Sequence, residues 1–378
     1  MRYALMCVVL LSFPLWIVGM VNANQPTPTL PAGKIIYVVH DTERSIQNLW
    51  LLDLSNPHAP RPLTHFDTPS TWLGYDLAQD GRTLAYRAVG SIEQNAVMDI
   101  ETGSIRLIPG CGRNSCLSGA TLSPDGRYAV YEGFPDELRI VDLYSIPSID
   151  RVLHTFDMDA LSWYAQNLGQ RFRPSPAWIG NSTYLAFSLP FSPWDVQVID
   201  IEDPTYSAIL PLGVFHAGAI FSPDGSRYAH FGLDYTNFVT TREVLAPSNF
   251  HQYQRDDLIA GEEYTTSIIG WHPDSRHLLI SNRFFFRENR PPDYQSHDEF
   301  ALFDSLTGNI DVLLKTSEVE LRGGSWNEDG TYFVYTESVM QDDQTYDERL
   351  MLFDMETRQF IPLGVTGRYA KWFMETAS

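Results

Sequence analysis

Thr121–Tyr131, reading TLSPDGRYAVY, decides the fold. An apolar lead-in reaches Ser123-Pro124-Asp125-Gly126, and the chain then resumes with Tyr128, Val130 and their neighbours. Asp-Gly between two such runs predicts a hairpin, because Gly takes positive φ without strain and the preceding Pro is already turn-compatible. The unit recurs as LAQDGRTLAY around Asp80, FSPDGSRYAHF around Asp224, WHPDSRHLLI around Asp274 and WNEDGTYFVY around Asp329, with a degenerate copy, WIGNSTYLAF, around Asn181. Successive turns lie 43 to 56 residues apart, the period of a β-propeller blade rather than of a short helical repeat.

Outward from the turns, the third strand of each unit ends in apolar residues and then Asp: Asp53, Asp99, Asp142, Asp200, Asp304 and Asp354. The fifth unit departs, with Ala246-Pro247 where that Asp is expected, and Pro removes a ladder donor. Blades two and three are placed at about Ser70–Pro109 and Leu117–Thr155. Phe156–Arg173 is a longer connection whose DALSWYAQNLGQ predicts a turn or two of helix. Blade four runs to about Leu212, five from Val214 to Ala260, six from Tyr264 to Leu314 and seven from Val319 to Gly364. At the N-terminus, KIIYVVH from Lys34 and NLWLLDL from Asn48 are strands with no pre-turn strand before them. The missing one is YAKWF from Tyr369, with Trp372 where Trp326, Trp271 and Trp178 stand. The expected fold is therefore all-β: one seven-bladed propeller of four-stranded blades over 34–378, its first blade completed by the C-terminus so that no ring edge stays open. Six blades is the alternative, should the N-terminal strands pair elsewhere.

The SPDG turn, the apolar strand after it and the strand ending in Asp resemble the WD40-like (PD40) repeat of the TolB family, matched in full at Ser123-Pro124-Asp125-Gly126 and Ser222-Pro223-Asp224-Gly225. The resemblance covers nearly the whole chain after residue 33. It implies a propeller and leaves function open, since TolB carries an α/β domain ahead of its six blades and here a ten-residue linker precedes the first strand. Propeller-bearing peptidases of the prolyl oligopeptidase group have similar repeats, but their hydrolase domain has no room here.

Met1-Arg2, an almost uncharged run to Val21 and small residues at Val21-Asn22-Ala23 read as a signal peptide over 1–23; the competing reading is an uncleaved anchor. NQPTPTLPAG, 24–33, is an extended linker. Export to a periplasmic, cell-surface or extracellular location follows, with no integral membrane span after cleavage. Cys111 and Cys116 in CGRNSC then read as a disulfide, two free thiols being the alternative. With 26 Lys plus Arg against 47 Asp plus Glu, the net charge of −21 disfavours nucleic acid as a partner.

The turn aspartates serve their own backbones, and Ser123 and Ser222 lack a nucleophile elbow or activating base. Gly74, Gly119, Gly218 and Gly323 are expected to allow close approach of innermost strands. Trp178, Trp271, Trp326 and Trp372 are expected to pack between blades. Function is expected where the repeat breaks: Gly232–Arg242, Asn282–Glu299 and Glu337–Arg349, loops on one face of blades five to seven. Candidate binding residues are Phe284, Phe285, Phe286 and Tyr294 in the sixth-blade loop, with Arg173, His216, Arg322 and Arg368 at the channel mouth, where arginines accept an anionic group or, as the alternative for each alone, are solvated or paired within the protein. The resulting expectation is an exported, monomeric, non-catalytic protein without cofactor or metal that binds a protein or glycan. The alternative is a metal-dependent, lyase-like enzyme acting on glycans at the channel, for which His216 is one ligand and further converging ligands are not evident.

Overall fold

The computed structural model describes residues 30–373 except 91–93, 109–118, 134–135, 146–147, 169–173, 181–182, 190–194, 204, 212–219, 232–238, 245–247, 256–257, 287–295, 318 and 342–345. Its strands form seven four-stranded antiparallel sheets. In blades two to seven the four strands follow in chain order. The first strands, Ser70–Leu77, Ala120–Leu122, Ala177–Ile179, Ile220–Phe221, Glu262–Trp271 and Glu320–Trp326, form the inner rim, where those of blades two and three and those of blades four to seven touch in succession. Blade one takes its inner strand from the other end of the chain: Arg368–Phe373 pairs antiparallel with Lys34–Asp41, with Ile35 opposite Trp372 and Ile36 opposite Lys371. The N-terminal strands pair here and nowhere else, so the ring has seven blades rather than six.

A period-two pattern explains why the second strands read as continuous apolar runs. In blade six, Leu278 and Ile280 pack towards blade five with Ala229, Val239 and Tyr253, while Leu279, between them, packs towards blade seven with Leu321, Phe333 and Tyr335. Blade three repeats this: Ala129 and Tyr131 face blade two, and Val130 faces Leu185 and Phe187 of blade four. Both faces of these two blades are thus buried against their neighbours.

The tryptophans join blades as expected. Trp178 stacks on Tyr128 of the preceding blade, Trp372 on Tyr332, and Trp326 meets His272 edge-on at 4.8 Å. The Trp271 indole N–H donates to the carbonyl of Ile220 at 2.8 Å. The turn aspartates hold their own backbone: Asp80 Oδ1 accepts the N–H groups of Arg82 and Thr83, and Asp329 Oδ1 that of Thr331. The third-strand aspartates cap a second turn and bind a cation from the first, as Asp99 does with the N–H of Thr102 and with Arg82 at 2.6 Å.

Two sequence expectations are corrected in this frame. In blade five, Glu243 is the residue opposite Arg227, the register at which Asp142 faces Tyr128 and Asp304 faces His277. An acid one methylene longer fills the column there, 3.8 Å from Arg227, and Ala246-Pro247 falls outside the described residues. The glycine column does not mark close approach of inner strands. Gly119 and Gly323 have φ of 84° and 22°, a Cβ on Gly323 would meet nothing, and a Cβ on Gly74 would collide with the Trp72 ring of its own strand. These glycines supply left-handed backbone or a seat for Trp72; Gly218 lies outside the described residues.

The helix expected after blade three is present as Met158–Leu168, eleven residues rather than a turn or two. Asp157 caps it by accepting the N–H groups of Asp159 and Ala160. Among the described residues no helix is long and apolar enough to cross a membrane.

Candidate functional site

The pairing places the start of each inner strand, the end of each second strand and the start of each third strand at one face, opposite the Asp-Gly turns. On this face the charged residues of blades six, seven and one form a continuous alternating chain. Asp298 lies 3.5 Å from Arg283, and Arg283 lies 3.0 Å from Glu320. Glu320 lies 3.0 Å from Arg322, which lies 3.4 Å from Glu348, and Glu348 lies 3.8 Å from Arg368. Three carboxylates alternate with three guanidiniums across two blade junctions. Burial works against the charge on Arg322, yet Glu320 and Glu348 beside it hold its pKa above the ordinary guanidinium value. Burial also lifts the Asp298 carboxyl above its usual range, although its Oδ2 accepts the N–H of Leu321 at 3.0 Å.

Of the two readings of Arg322 and Arg368, anion acceptors at the mouth or arginines paired within the protein, the ion pairs fit the second: both are engaged by Glu348. Glu320 and Arg322 stand two apart on one strand, so strand periodicity alone places them on one side, a signal available in the sequence. Glu348 comes from a different hairpin, and no spacing announces it.

Arginine and aromatic rings are also coupled around this mouth. The Arg322 guanidinium lies 5.2 Å from the ring centre of Tyr346, that of Arg368 5.2 Å from Tyr369, and that of Arg87 5.9 Å from Trp72. The three rings stay open to solvent, with exposures of 48%, 46% and 42%. Tyr369 adopts φ of 55°, a region that a non-glycine residue occupies at a cost on the order of 1–3 kcal/mol and that clusters at functional sites. Its backbone is pinned by the Tyr75 hydroxyl, which sits between the carbonyls of Ile36 and Tyr369. Beside Trp72, a cleft of about 190 Å³ opens between blades two and three, lined by Tyr75, Arg87, Ala120 and Thr121. Tyr346 and Tyr369 were not among the candidates expected from the sequence, because each sits at a strand end where the repeat pattern gives no distinguishing residue.

The sixth-blade phenylalanines are corrected as well. Phe284, Phe285 and Phe286 were expected in a loop, but the second strand of blade six runs from His277 to Phe286, opposite Glu262–Trp271. Strand pairing extends further than the Gly/Pro punctuation suggested, and the break shrinks to 287–296. Phe284 is 2% exposed, stacked on His297 at 4.4 Å and on Tyr264 at 5.6 Å. It belongs to the core of the blade five–six junction, not to a binding surface, while Phe285 and Phe286 are half-buried at the strand end.

Beneath them lies a polar cluster that sequence reasoning missed. The Arg255 guanidinium is paired with Glu299, which is 1% exposed, and stands 5.3 Å from the Phe284 ring centre. Asn282 Nδ2 donates to Glu299 at 2.9 Å and also meets the Tyr253 hydroxyl, while Thr266 Oγ1 donates to Asn282 Oδ1 at 2.8 Å. Arg255 and Glu299 are 44 positions apart, so nothing local couples them.

Arg173, His216 and Tyr294 lie outside the described residues, as do Cys111, Cys116 and the N-terminal 29 positions. Among the described residues, the one group of three metal-ligating side chains, His272, Asp274 and His277, stands at the Asp-Gly turn face and not at this mouth.

No protein-family model matches this chain, and no curated protein sequence matches it. Its fold is similar to solved propellers. The periplasmic gluconolactonase PpgL of Pseudomonas aeruginosa shares 17% identity at a TM-score of 0.54, over 92% of this chain and all of that one. An oligogalacturonate lyase in complex with manganese shares 15% identity at a TM-score of 0.54, over 88% of this chain and 85% of that one. TolB from Acinetobacter baumannii shares 14% identity at a TM-score of 0.45, and this chain spans 66% of its length. At these identities the likeness is one of fold: the chain is a seven-bladed β-propeller whose architecture serves binding proteins and enzymes alike.

Proposed function

We propose that this chain is an exported, non-catalytic binding protein that engages a protein or glycan through the face bearing the loops of blades five to seven, with its rim continuing through blades one and two. The observation that carries the reading is the set of three exposed aromatic rings, Tyr346, Tyr369 and Trp72, each backed by a guanidinium. Tyr, Trp and Arg are the residue types that dominate binding energy at interfaces, because rigid rings contribute large contact area at low entropic cost. Behind Tyr346 and Tyr369 the charges are mutually paired through Glu320 and Glu348, so a partner meets an ordered polar frame there rather than a diffuse positive field. Arg173, His216 and Tyr294 belong to this proposal as further contacts on the same face, and Phe285 and Phe286 as its strand-end margin.

Site-specific photo-crosslinking tests it. A photoreactive residue at position 346 or 369 is expected to capture a discrete adduct, protein or saccharide, from an envelope extract. The same residue at Ile209, exposed on an outer strand of blade four, is expected to capture none. Equal yields from both positions would contradict the proposal.

A further inference from the structure

The turn of blade six departs from its sister turns in a chemically pointed way. Elsewhere the carboxylate of the turn Asp is met by hydroxyl groups: Ser123 Oγ donates to Asp125 at 2.6 Å, Ser222 Oγ to Asp224 at 2.7 Å and Thr83 Oγ1 to Asp80 at 2.6 Å. In blade six the same two flanking positions carry imidazoles. His272, two before Asp274, and His277, three after it, both present Nδ1 to the one carboxylate, at 3.0 Å from Oδ1 and 2.6 Å from Oδ2.

His272 Nε2 lies 3.2 Å from the carbonyl oxygen of Gly330, which only accepts, so the ring donates there. Its Nδ1 lies 3.0 Å from Asp274 Oδ1 and 3.2 Å from the Asp274 backbone nitrogen, so a metal ion that displaces any proton from Nδ1 finds a ring nitrogen and a carboxylate already side by side. The partner on Nε2 is the kind that orients a metal-bound histidine, an N–H to a backbone carbonyl. Blade seven leaves room for it, since a Cβ on Gly330 would lie 2.1 Å from His272 Nε2.

We propose that His272 Nδ1, the Asp274 carboxylate and His277 Nδ1 bind one divalent transition-metal ion of the zinc type, with solvent completing its coordination. The three ligand atoms lie within 4.8 Å of one another. Ligands around tetrahedral zinc, at about 2.0–2.2 Å from the metal, stand roughly 3.3 Å apart, so small side-chain rotations suffice. His277 Nδ1 is freed for the metal by moving its proton to Nε2. Two nitrogens and one oxygen suit zinc, nickel, cobalt or copper rather than calcium or magnesium. All three side chains are partly open to solvent, which gives the ion a way in. Because His272 also holds the Gly330 carbonyl, a bound ion couples the turns of blades six and seven.

The test uses the full chain stripped with a chelator and titrated with zinc by calorimetry, and with copper by tryptophan fluorescence. Trp326 meets the His272 ring at 4.8 Å and serves as the local reporter. One equivalent of zinc is expected, with copper quenching that is lost in Trp326→Phe. His272→Gln and His277→Gln are each expected to weaken zinc at least about 10-fold. Asp274→Asn keeps an oxygen for the turn while removing the charge, is expected to weaken zinc similarly, and decides the matter if a histidine variant fails to fold. Absence of binding to the wild-type chain, or an affinity unchanged in these variants, would overturn the proposal.

Discussion

Removing the inner strand of blade one should open the ring, and the structure sets the size of the effect. Trp372 is 6% exposed and stacks on Tyr332 across the junction of blades seven and one. Replacing a buried Trp by Ala costs about 3–5 kcal/mol. In a ring of this size each kcal/mol moves Tm by on the order of 1.5 °C, so Trp372→Ala should lower Tm by about 5–7 °C. Ending the chain at Thr366 removes far more. The ladder to Lys34–Asp41 goes, with the buried Ala370, the bond from Trp372 N–H to Ser325 Oγ at 2.6 Å and the ion pair of Lys371 with Asp76 at 3.0 Å. It also leaves Lys34–Asp41 as an unpaired edge. Differential scanning calorimetry should then show loss of the cooperative transition or a drop well beyond that of Trp372→Ala. A truncated chain melting cooperatively at the full-length temperature would refute the closure argument.

Three further outcomes are expected. Arg255→Met should destabilise the chain by about 3–5 kcal/mol by stranding the buried Glu299, and adding Glu299→Gln should recover part of that in denaturant unfolding; equal stability of the single and double variants would contradict the buried pair. Asp304 is held well below its ordinary value of 3.8, chiefly by the Arg276 guanidinium, and Asp99 and Asp142 are also lowered: burial opposes this, but backbone N–H groups and Arg82 or Arg127 outweigh it. A depressed folded pKa gives stability that is full above the unfolded value and lost as pH falls through the folded one, so Tm should fall below about pH 4 and Asp304→Asn should flatten that slope; a slope unchanged in this variant would contradict the assignment. Exported protein should begin near Asn24 and be two hydrogens lighter than its reduced form through a Cys111–Cys116 disulfide, checked by intact mass; retention of Met1 in a membrane fraction would favour the anchor instead.

The ring was legible because a hairpin turn has strict chemistry. Asp125-Gly126 and its copies announce themselves, and Trp372 in the repeat position of Trp326 tells where the chain closes. Strand ends were less legible. Phe284–Phe286 read as loop because a second strand is bounded by pairing with its neighbour, Glu262–Trp271, and not by its own composition. Glu243 was passed over because a longer acid does the work of Asp at the same register. The mouth was least legible, since Arg322, Glu348 and Arg368 meet only once blades seven and one are closed. Arg255 and Glu299 pair across two blades, a relation that no local pattern encodes.

Affinity for a partner captured through position 346 or 369 tests the central claim most directly, measured by surface immobilisation of the wild-type chain and of the variant combining Trp72→Ala, Tyr346→Ala and Tyr369→Ala. All three rings are solvent-exposed, so Tm should change little. Loss of such aromatic anchors removes about 2 kcal/mol or more each, and the account therefore predicts binding weakened at least about 100-fold with the fold intact. Unchanged affinity in a variant that melts like the wild type would contradict it.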